Sequence, residues 1–559
     1  MRRIGALTDA VPRAELERAV SGRSLRRAAP WALLIALLAT WLLWYPPSPD
    51  LAAQAFRVHL FAVDGFSLWD NSWYGGHYLP SYSLLFPALA ASIGLRALGA
   101  LSVTISVWSF IRLSERREEF RPNAAAAAFA VGASGDLFIG RLAFALGVAL
   151  GLLSVLCAVR GPRALTAVLS LACAAASPVA AAFLALAALA DLLTNRRLGR
   201  ALALGTPAVV LTGALALLMP EGGYEPFAVE SLLAAGGAAL AVLLLVPRRQ
   251  RLVRVTSALY LIALLLCYFV RSPVGSNVVR FGVLFAPAML VGYARAGGTQ
   301  SSLAAILAPV RRGRRSRARR VLALGDRAAP ALLLGVFVAA VCWQLTGPLS
   351  QSIGAAVDPA SRAAFYAPVV RYLESRTRGE PTRIEVPFTS SHWDAAILGA
   401  RFILARGWER QVDTRFDSLF YDPQLTPAAY REWLQRNGVR FVALSDAPLD
   451  FSSIQEAELI RSGLPFLSPV FRSAHWSVYE VQGASPLAGG PGFLSALDGD
   501  GFSLHADRPG WFLVRVHYTP YWTVTSGDAS VAASAEDWTA VYARTAGEIA
   551  VDAEFSLTA

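Results

Sequence analysis

The sequence predicts a mostly α-helical polytopic membrane protein of about eleven transmembrane or re-entrant helices, followed by an extracytoplasmic C-terminal region of α/β and β-sandwich structure. Three observations lead to this fold class. Hydrophobic residues make up 55% of the 559 residues, and charged residues only 16%. The apolar residues form stretches long enough to cross a bilayer, separated by short basic runs. The last third of the chain has the patterning of a soluble domain instead.

The composition excludes a single soluble domain and a disordered chain, because ordinary soluble proteins have about 25% charged residues. The formal net charge is +12, and the chain contains no lysine. Residues 1–347 carry 34 Arg and 15 acidic residues, so the positive charge is concentrated in the apolar part. Arg runs between apolar stretches are typical of a membrane protein, and we expect no nucleic acid among its partners.

Eleven apolar stretches are predicted to form the helices of the membrane domain. They lie near residues 31–46, 94–113, 123–138, 142–159, 164–177, 179–193, 202–219, 229–246, 254–271, 280–296 and 330–347. Within 164–193, Pro178 follows Ser177, and proline breaks helices. A hairpin broken there leaves the Arg-rich connections, including 311–327, on one side of the membrane. The positive-inside rule therefore favours a hairpin over one long helix, with arms short enough to be re-entrant.

This threading predicts the location and the domains of the chain. We expect a multi-pass protein of the plasma membrane with a cytoplasmic N-terminus and no cleavable signal peptide. The predicted divisions are an Arg-rich cytoplasmic arm at 1–30, a transmembrane domain at 31–347 with a long outer loop at 47–93, an extracytoplasmic α/β domain at 348–490 and a β-sandwich at 491–559.

The C-terminal region shows two patterns in succession. Predicted helices in "YAPVVRYLESR", "TPAAYREWLQRNG" and "SSIQEAELIRSG" alternate with predicted strands in "TRIEVPF", "VRFVALSD" and "WSVYEVQ". The second helix has Thr426 as its N-cap and ends at a glycine. The later segments "FSLHA", "WFLVRVHY", "WTVTS", "AVYAR" and "IAVDAEF" alternate apolar and polar residues with period two, which indicates the sandwich.

Candidate functional residues are densest in the outer loop. It carries Arg57, His59, Asp64, Asp70 and His77 among many aromatic residues. Ionisable groups at the mouth of a membrane bundle are costly and are treated as functional candidates. The aromatic residues fit either an interfacial belt or platforms for a sugar ring. Gly75 and Gly76 predict a tight turn in the loop.

Two helix turns add further candidates on the same side. Asp136 and Arg141 lie between the third and fourth predicted helices, and Arg271, Asn277 and Arg280 between the ninth and tenth. A carboxylate pair suits general-base chemistry or a divalent cation, and arginines suit a phosphate or diphosphate. Structural interpretations remain open, because Asp136 with Arg141 can pair at a helix end and Arg280 can anchor a helix at the headgroups.

A long first outer loop with an Asp, about eleven helices, a short acidic second outer turn and an extracytoplasmic C-terminal domain together resemble GT-C type glycosyltransferases. The resemblance implies transfer of a sugar from a polyprenyl-phosphate donor to a cell-envelope glycan or lipid acceptor. It implies that Asp64, with Asp70 as second choice, is the catalytic base. It further implies that Asp136 binds the acceptor or, with Asp64, a metal ion such as Mg²⁺ or Mn²⁺, and that Arg280 and Arg271 contact the donor phosphate.

The phrases "WYGGHYLPSYSLLFP", "SNVVRFGVLFAP" and "ARGWERQVD" are also similar to uncharacterised actinobacterial multi-spanning proteins named 6-pyruvoyl-tetrahydropterin synthase-related. The last phrase belongs to a charged and aromatic segment of the outer domain, for which contact with a glycan or packing against the bundle are both open. The full set of predicted substrate-binding residues is Arg57, His77, Asp136, Arg141, Arg271, Asn277, Arg280, Arg406, Trp408 and Arg410.

The implied reaction is an inverting transfer in which Asp64 takes the proton of the acceptor hydroxyl. Two other classes of function remain open at this stage. A transporter or flippase of a lipid-linked saccharide is compatible with the helix break at 177–178. A non-catalytic scaffold of cell-envelope assembly is compatible with the absence of an adjacent acidic pair in the outer loop.

Overall fold

The computed structural model describes residues 13–115, 120–294 and 315–555. The first twelve residues of the predicted arm and the beginning of the predicted Arg run, 311–314, lie outside these ranges. The helices before the C-terminal region are α1 (Arg13–Trp44), α2 (Pro49–Asp64), α3 (Phe86–Ile93), α4 (Leu95–Ser114), α5 (Pro122–Ile139), α6 (Leu142–Arg160), α7 (Arg163–Ala176), α8 (Pro178–Asn195), α9 (Leu198–Leu218), α10 (Val229–Leu245), α11 (Arg251–Phe269), α12 (Val279–Tyr293) and α13 (Arg315–Val357).

Each of the eleven predicted apolar stretches coincides with one of these helices. By length and composition, 7 helical segments of the described chain are suited to cross a membrane, and α7 and α10 are shorter apolar helices. The last helix, α13, continues ten residues beyond the predicted end at 347. The predicted fold class, a polytopic helical bundle followed by a sheet-rich region, is confirmed.

The hairpin predicted at Ser177 is present. Helix α7 ends at Ala176 and α8 begins at Pro178, and the Ser177 side chain accepts a hydrogen bond from the backbone N–H of Ala180. The tip of this hairpin contacts the outer loop, because the Ser83 hydroxyl donates to the carbonyl of Ala176 at 2.8 Å. The hairpin tip and the outer loop therefore lie at the same end of the bundle.

The outer loop contains two helices that the sequence analysis did not predict, α2 and α3. Helix α2 begins after Ser48 with Pro49 at its first turn and Asp50 as a first-turn acid, which is a common start signal. A two-stranded hairpin follows, with β1 (Trp69–Asp70) paired to β2 (His77–Tyr78). The predicted tight turn joins the strands: Gly76 has a φ of 114°, and a Cβ there would lie 2.4 Å from the Trp69 ring.

The N-terminus of α2 is fixed on the turn between α5 and α6. The Gln54 side chain donates to the carbonyl of Gly140 and accepts from the backbone N–H of Ala143 at 2.8 Å. Gly140 has a φ of 92°, and a Cβ there would lie 2.5 Å from the backbone nitrogen of Leu51. Only glycine allows this close approach of the two backbones.

We therefore expect Gly140→Ala to destabilise the protein by about 2 kcal/mol or more, because it combines left-handed backbone strain with a steric clash. The unfolding temperature in detergent measures the effect. Gly236→Ala is the matched control, since Gly236 lies inside α10 and a Cβ added there would meet nothing within 4 Å. An equal change in both variants would contradict the packing argument.

The C-terminal region contains one mixed sheet and two antiparallel sheets. The mixed sheet has the strand order Ile403–Leu404, Arg383–Glu385, Val439–Ser445, Trp476–Val481 and Leu467–Arg472, with the first three parallel. The first antiparallel sheet has the strand order Trp522–Ser526, Gly547–Ala553, Gly501–Ala506 and Gly492–Leu497. The second has the strand order Ala529–Ala533, Trp538–Ala543, Gly510–His517 and Ala488–Gly489. Every predicted strand is present, and the strands at 403, 467, 488, 492 and 529 were not predicted.

Buried carboxyl groups cluster in the core under the mixed sheet. Glu385 and Glu456 are fully buried beside Arg406, and neither carboxyl oxygen of Glu385 has a hydrogen-bond partner among the described residues. Burial raises the pKa of Glu456 from 4.5 to about 7, and burial beside Glu456 raises the pKa of Glu385 as well. The folded state therefore holds these protons more tightly than the unfolded state does.

Because folding raises the pKa of these carboxyl groups, we expect the outer domain to lose stability as the pH rises from about 4.5 to about 7. The loss is about 1.4 kcal/mol for each unit of pKa shift. We expect Glu385→Gln, which stays neutral, to raise the unfolding temperature at pH 8 and to flatten its pH dependence. Glu432→Gln changes an exposed carboxylate and serves as the control. A steep dependence that persists in the double variant Glu385→Gln/Glu456→Gln would exclude this origin.

Candidate functional site

Two acids and two arginines meet at the end of the bundle that carries the outer loop. The Nε of Arg141 donates to Oδ2 of Asp50 at 2.9 Å, and its Nη1 lies 4.0 Å from Oδ1 of Asp136. The backbone N–H of Arg141 also donates to the carbonyl of Asp136 at 2.7 Å. The start of α2 and the α5–α6 turn therefore present two carboxylates to one guanidinium.

Arg280, near the start of α12, supplies the second positive charge. Its guanidinium lies 5.2 Å from the centre of the Phe144 ring, and its Nη2 donates to Oδ1 of Asn277. It interacts electrostatically with Asp50, Asp136 and Arg141. The Nε of Arg280 is buried and has no hydrogen-bond partner among the described residues, so it is a donor left available for an anion.

The surroundings of these four residues come from two outer loops. Tyr82 is an electrostatic neighbour of both Asp50 and Arg280, and burial raises the pKa of its hydroxyl to about 12. Glu225, from the loop between α9 and α10, also interacts with Asp50 and Arg280, and burial raises its pKa. The site is therefore mixed in charge, partly dehydrated and lined by hydroxyl and carboxyl groups.

The donor set suits an anion better than a divalent cation. Both carboxylates face Arg141, and Arg280 adds a second guanidinium, so a cation there would meet two positive charges. Mg²⁺ and Mn²⁺ favour oxygen ligands without competing cations. In the described ranges, no group of three or more His, Cys, Asp and Glu side chains is placed to hold a metal ion.

Asp64 lies outside this cluster, so the structure does not bring it together with Asp136, and its expected roles as base and metal ligand stay predictions. It is the last residue of α2, 14 residues after Asp50, or about 21 Å along the helix axis. Its carboxylate is exposed, and a Cβ built on Gly499 would lie 3.3 Å from its Oδ2. Asp498 and Asp500 are its electrostatic neighbours. The outer-loop acid that meets Asp136 is Asp50.

Asp70 and His77 form a buried pair in the β1–β2 hairpin. Their side chains are 1% exposed, and the imidazole Nδ1 lies 3.2 Å from the carbonyl of Asp70. Burial raises the pKa of Asp70 to about 6 and lowers that of His77 to about 3. His77 lies beside Trp73 with the two rings stacked at 5.8 Å between centroids. Both side chains are therefore enclosed, and the expected roles of Asp70 as base and His77 as substrate ligand stay predictions.

Arg57 and Arg271 occupy different surroundings. Arg57 is buried, forms an ion pair with Glu409 of the outer domain and lies 4.1 Å over the Tyr82 ring. Arg57 therefore connects Glu409 of the outer domain to Tyr82, which neighbours Asp50 and Arg280. Arg271 is exposed, with its guanidinium 5.0 Å from the Tyr224 ring, and has no contact with Asp50 among those that the structure describes.

Arg406 and Arg410 are both engaged in ion pairs inside the outer domain, and their expected role in substrate binding stays a prediction. Arg406 is fully buried between the rings of Phe388 and Phe420, 4.0 Å from each, and forms an ion pair with Asp413 at 2.8 Å. Arg410 forms an ion pair with Asp450 at 2.7 Å. The packing interpretation of this segment therefore describes both arginines.

Trp408, in the same segment, contacts the backbone immediately before Asp50. Its indole N–H donates to the carbonyl of Pro49 at 3.0 Å. Trp393, from the helix Trp393–Gly399, donates in the same way to the carbonyl of Pro47 at 2.8 Å. Both carbonyls closely precede Asp50, so two tryptophans of the outer domain hold the backbone that positions its carboxylate.

If the protein has the transferase activity proposed in the next subsection, we expect Trp393→Phe, which removes the hydrogen-bond donor and keeps an aromatic ring, to lower kcat by about 3- to 10-fold with little change in donor KM, because it loosens Asp50 without touching the arginines. Kinetic measurement of the purified variant tests this. Trp511→Phe is the control, since Trp511 is exposed in the sandwich. A rise in KM alone would assign Trp393 to substrate binding instead.

Sequence reasoning found Asp136, Arg141, Asn277 and Arg280 and missed Asp50, Glu225 and Trp393. The Ser48-Pro49-Asp50 start signal could have placed a helix there and drawn attention to its acid. No local signal marks Glu225, whose proximity to Arg280 depends on the packing of two distant loops.

Fold and site together define a multi-helix integral membrane protein with a charged, anion-compatible site beneath a C-terminal domain. No family model matches the chain, and no curated protein matches its sequence. Among solved structures, it is similar to the crystal structure of ArnT from Cupriavidus metallidurans bound to undecaprenyl phosphate. The match has a TM-score of 0.43 and 15% identity, and it covers 81% of this chain and 98% of that chain. At this level the likeness carries no functional argument.

Proposed function

We propose that the protein is an inverting membrane glycosyltransferase that moves a sugar from a polyprenyl-phosphate donor to an extracytoplasmic glycan or lipid acceptor. The observation that carries the proposal is the meeting of Asp50 and Asp136 with Arg141 and Arg280 at the outer-loop end of the bundle. Arg141 and Arg280 are suited to bind an anionic leaving group, and a carboxylate such as that of Asp50 can accept a proton.

A small apolar cavity lies along α12, the helix that carries Arg280, although Arg280 itself does not line it. It has a volume of about 160 Å³ and lies between α10, α11 and α12, with Phe281, Gly282, Phe285 and Met289 on its α12 side. These residues follow Arg280 along the same helix toward the opposite end of the bundle. Apolar surface on the helix that carries Arg280 suits the prenyl chain of a lipid-linked donor.

The proposed chemistry uses the two halves of the cluster separately. Asp50 takes the proton of the acceptor hydroxyl as its oxygen bonds to the anomeric carbon from the face opposite the phosphate. The bond between that carbon and the phosphate oxygen breaks, and the electron pair leaves with polyprenyl phosphate. Arg280 and Arg141 stabilise the phosphate charge, and Asp136 helps to orient Arg141.

The proposal includes an orientation in the plasma membrane. The outer domain and the Asp50 site face the extracytoplasmic side, and the N-terminus lies in the cytoplasm. The Arg-rich turns Arg160–Arg163 and Arg196–Arg200 lie at the other end of α6 and α8, as the positive-inside rule requires. Cysteine accessibility at positions 64 and 197 in spheroplasts would test this orientation.

The deciding experiment is transfer of labelled sugar from a panel of polyprenyl-phosphate donors by the purified protein, with Mg²⁺, with Mn²⁺ and with EDTA. We expect turnover that survives EDTA, because two guanidiniums occupy the site. Turnover that requires a metal would overturn the charge argument but not the transferase. Donor binding without turnover would reject the transferase in favour of a flippase or a scaffold.

A further inference from the structure

A second charged cavity lies at the opposite end of the bundle, outside the proposed catalytic site. Its volume is about 320 Å³, and it lies between the end of α6 and the beginnings of α7 and α9. Arg163, Arg197 and Arg200 line it together with Gly161 and Gly199. Helix α6 has 19 residues, so this cavity is about 28 Å from the Asp50 end.

The cavity carries an excess of positive charge. Asp191 pairs with Arg200, with its Oδ2 2.7 Å from the arginine Nε. Arg163 and Arg197 form no ion pair with any described residue. The glycines provide the space: a Cβ on Gly199 would lie 3.0 Å from the Arg163 guanidinium carbon. Two uncompensated guanidiniums in a concave site are suited to a phosphate group.

Exposed apolar residues accompany the cavity along the chain. Leu198 lines it and is 58% exposed, and Val159, Leu165 and Leu202, which are sequence neighbours of lining residues, are 52%, 48% and 51% exposed. A soluble anion would gain nothing from these apolar residues, whereas an amphiphile would place its phosphate at the arginines and its chains along the leucines. Basic pockets of this kind between membrane helices bind anionic lipid headgroups.

We infer that Arg163, Arg197 and Arg200 form a binding site for the phosphate headgroup of an anionic membrane lipid. The lipid bridges the α6–α7 and α8–α9 connections at the level of the headgroups. This site is independent of the proposed transferase chemistry, because no residue of it belongs to the Asp50 cluster.

The test is native mass spectrometry of the full chain in detergent with dioleoyl phosphatidylglycerol, dioleoyl phosphatidylcholine or inorganic phosphate. We expect the wild type to retain phosphatidylglycerol selectively. The double variant Arg163→Gln/Arg197→Gln should raise its Kd about tenfold or more. Arg248→Gln/Arg251→Gln is the matched control, since Arg251 begins α11, Arg248 lies three residues before it, and both are exposed and outside the cavity.

A second variant separates a built site from diffuse surface charge. Gly199→Val keeps every arginine and fills the cavity, so it should weaken phosphatidylglycerol binding as the double variant does. Equal binding by wild type and Gly199→Val would overturn the inference. It would also be overturned if both double variants lost binding equally, or if inorganic phosphate bound and the lipid did not.

Discussion

Asp50→Asn is expected to lower kcat for sugar transfer by about 10²- to 10⁴-fold, the usual contribution of a general base. The amide has nearly the same shape and can still accept the hydrogen bond that Arg141 donates to Asp50. It cannot take the proton of the acceptor hydroxyl. Donor KM should change little, because Arg280 and the apolar cavity remain.

Asp64→Asn is the matched comparison, because the same substitution is made at the other end of the same helix. Asp64 lies among Asp498 and Asp500, so loss of its charge should leave transfer within about twofold of wild type. If Asp64→Asn abolished transfer and Asp50→Asn retained it, the base would be Asp64, and the role of the cluster would be wrong.

Arg406→Met is expected to destabilise the outer domain by about 3–5 kcal/mol, which is the cost of leaving a buried partner uncompensated. Arg406 forms ion pairs with Asp413 at 2.8 Å and with Glu456 at 3.4 Å, and all three side chains are fully buried. Without the guanidinium, these carboxyl groups lose their nearest counter-charge. Denaturant unfolding followed by tryptophan fluorescence measures the change.

Arg371→Met is the control, since Arg371 is an exposed arginine of the helix Ala363–Thr377 without an ion pair in the described structure. We expect it to change stability by less than about 0.5 kcal/mol. A folded Arg406→Met protein with normal stability and a raised donor or acceptor KM would restore the substrate-binding role that the sequence suggested.

The membrane bundle was predictable because its signals are local. A run of apolar residues must form a helix in the bilayer, since only helices and closed barrels satisfy the backbone there. The break at Ser177 was predictable for the same reason, because a proline and its preceding cap act within one turn. The strands at Trp522 and Gly547 followed from their period of two, whereas the sequences of the strands at Gly492 and Ala529 did not show it clearly.

The site could be predicted only in part. The two turns carrying Asp136, Arg141 and Arg280 were identified because charged residues between apolar helices are conspicuous. The sequence analysis weighed Asp64 and Asp70 and did not consider Asp50, because no local pattern says which end of α2 approaches the α5–α6 turn. That approach depends on Gly140 and Gln54, which hold Asp50 beside Arg141.

The sequence alone thus established the class of protein, the positions of its membrane helices and the charged turns at their ends, all properties of neighbouring residues. Tertiary packing determined that Asp50 is the acid beside Arg141. It also buried Arg406 in the core of the outer domain and placed Trp393 against the backbone that precedes Asp50. These outcomes arise from contacts between residues tens to hundreds of positions apart. Such contacts depend on how helices and sheets pack, which local hydropathy and spacing do not encode.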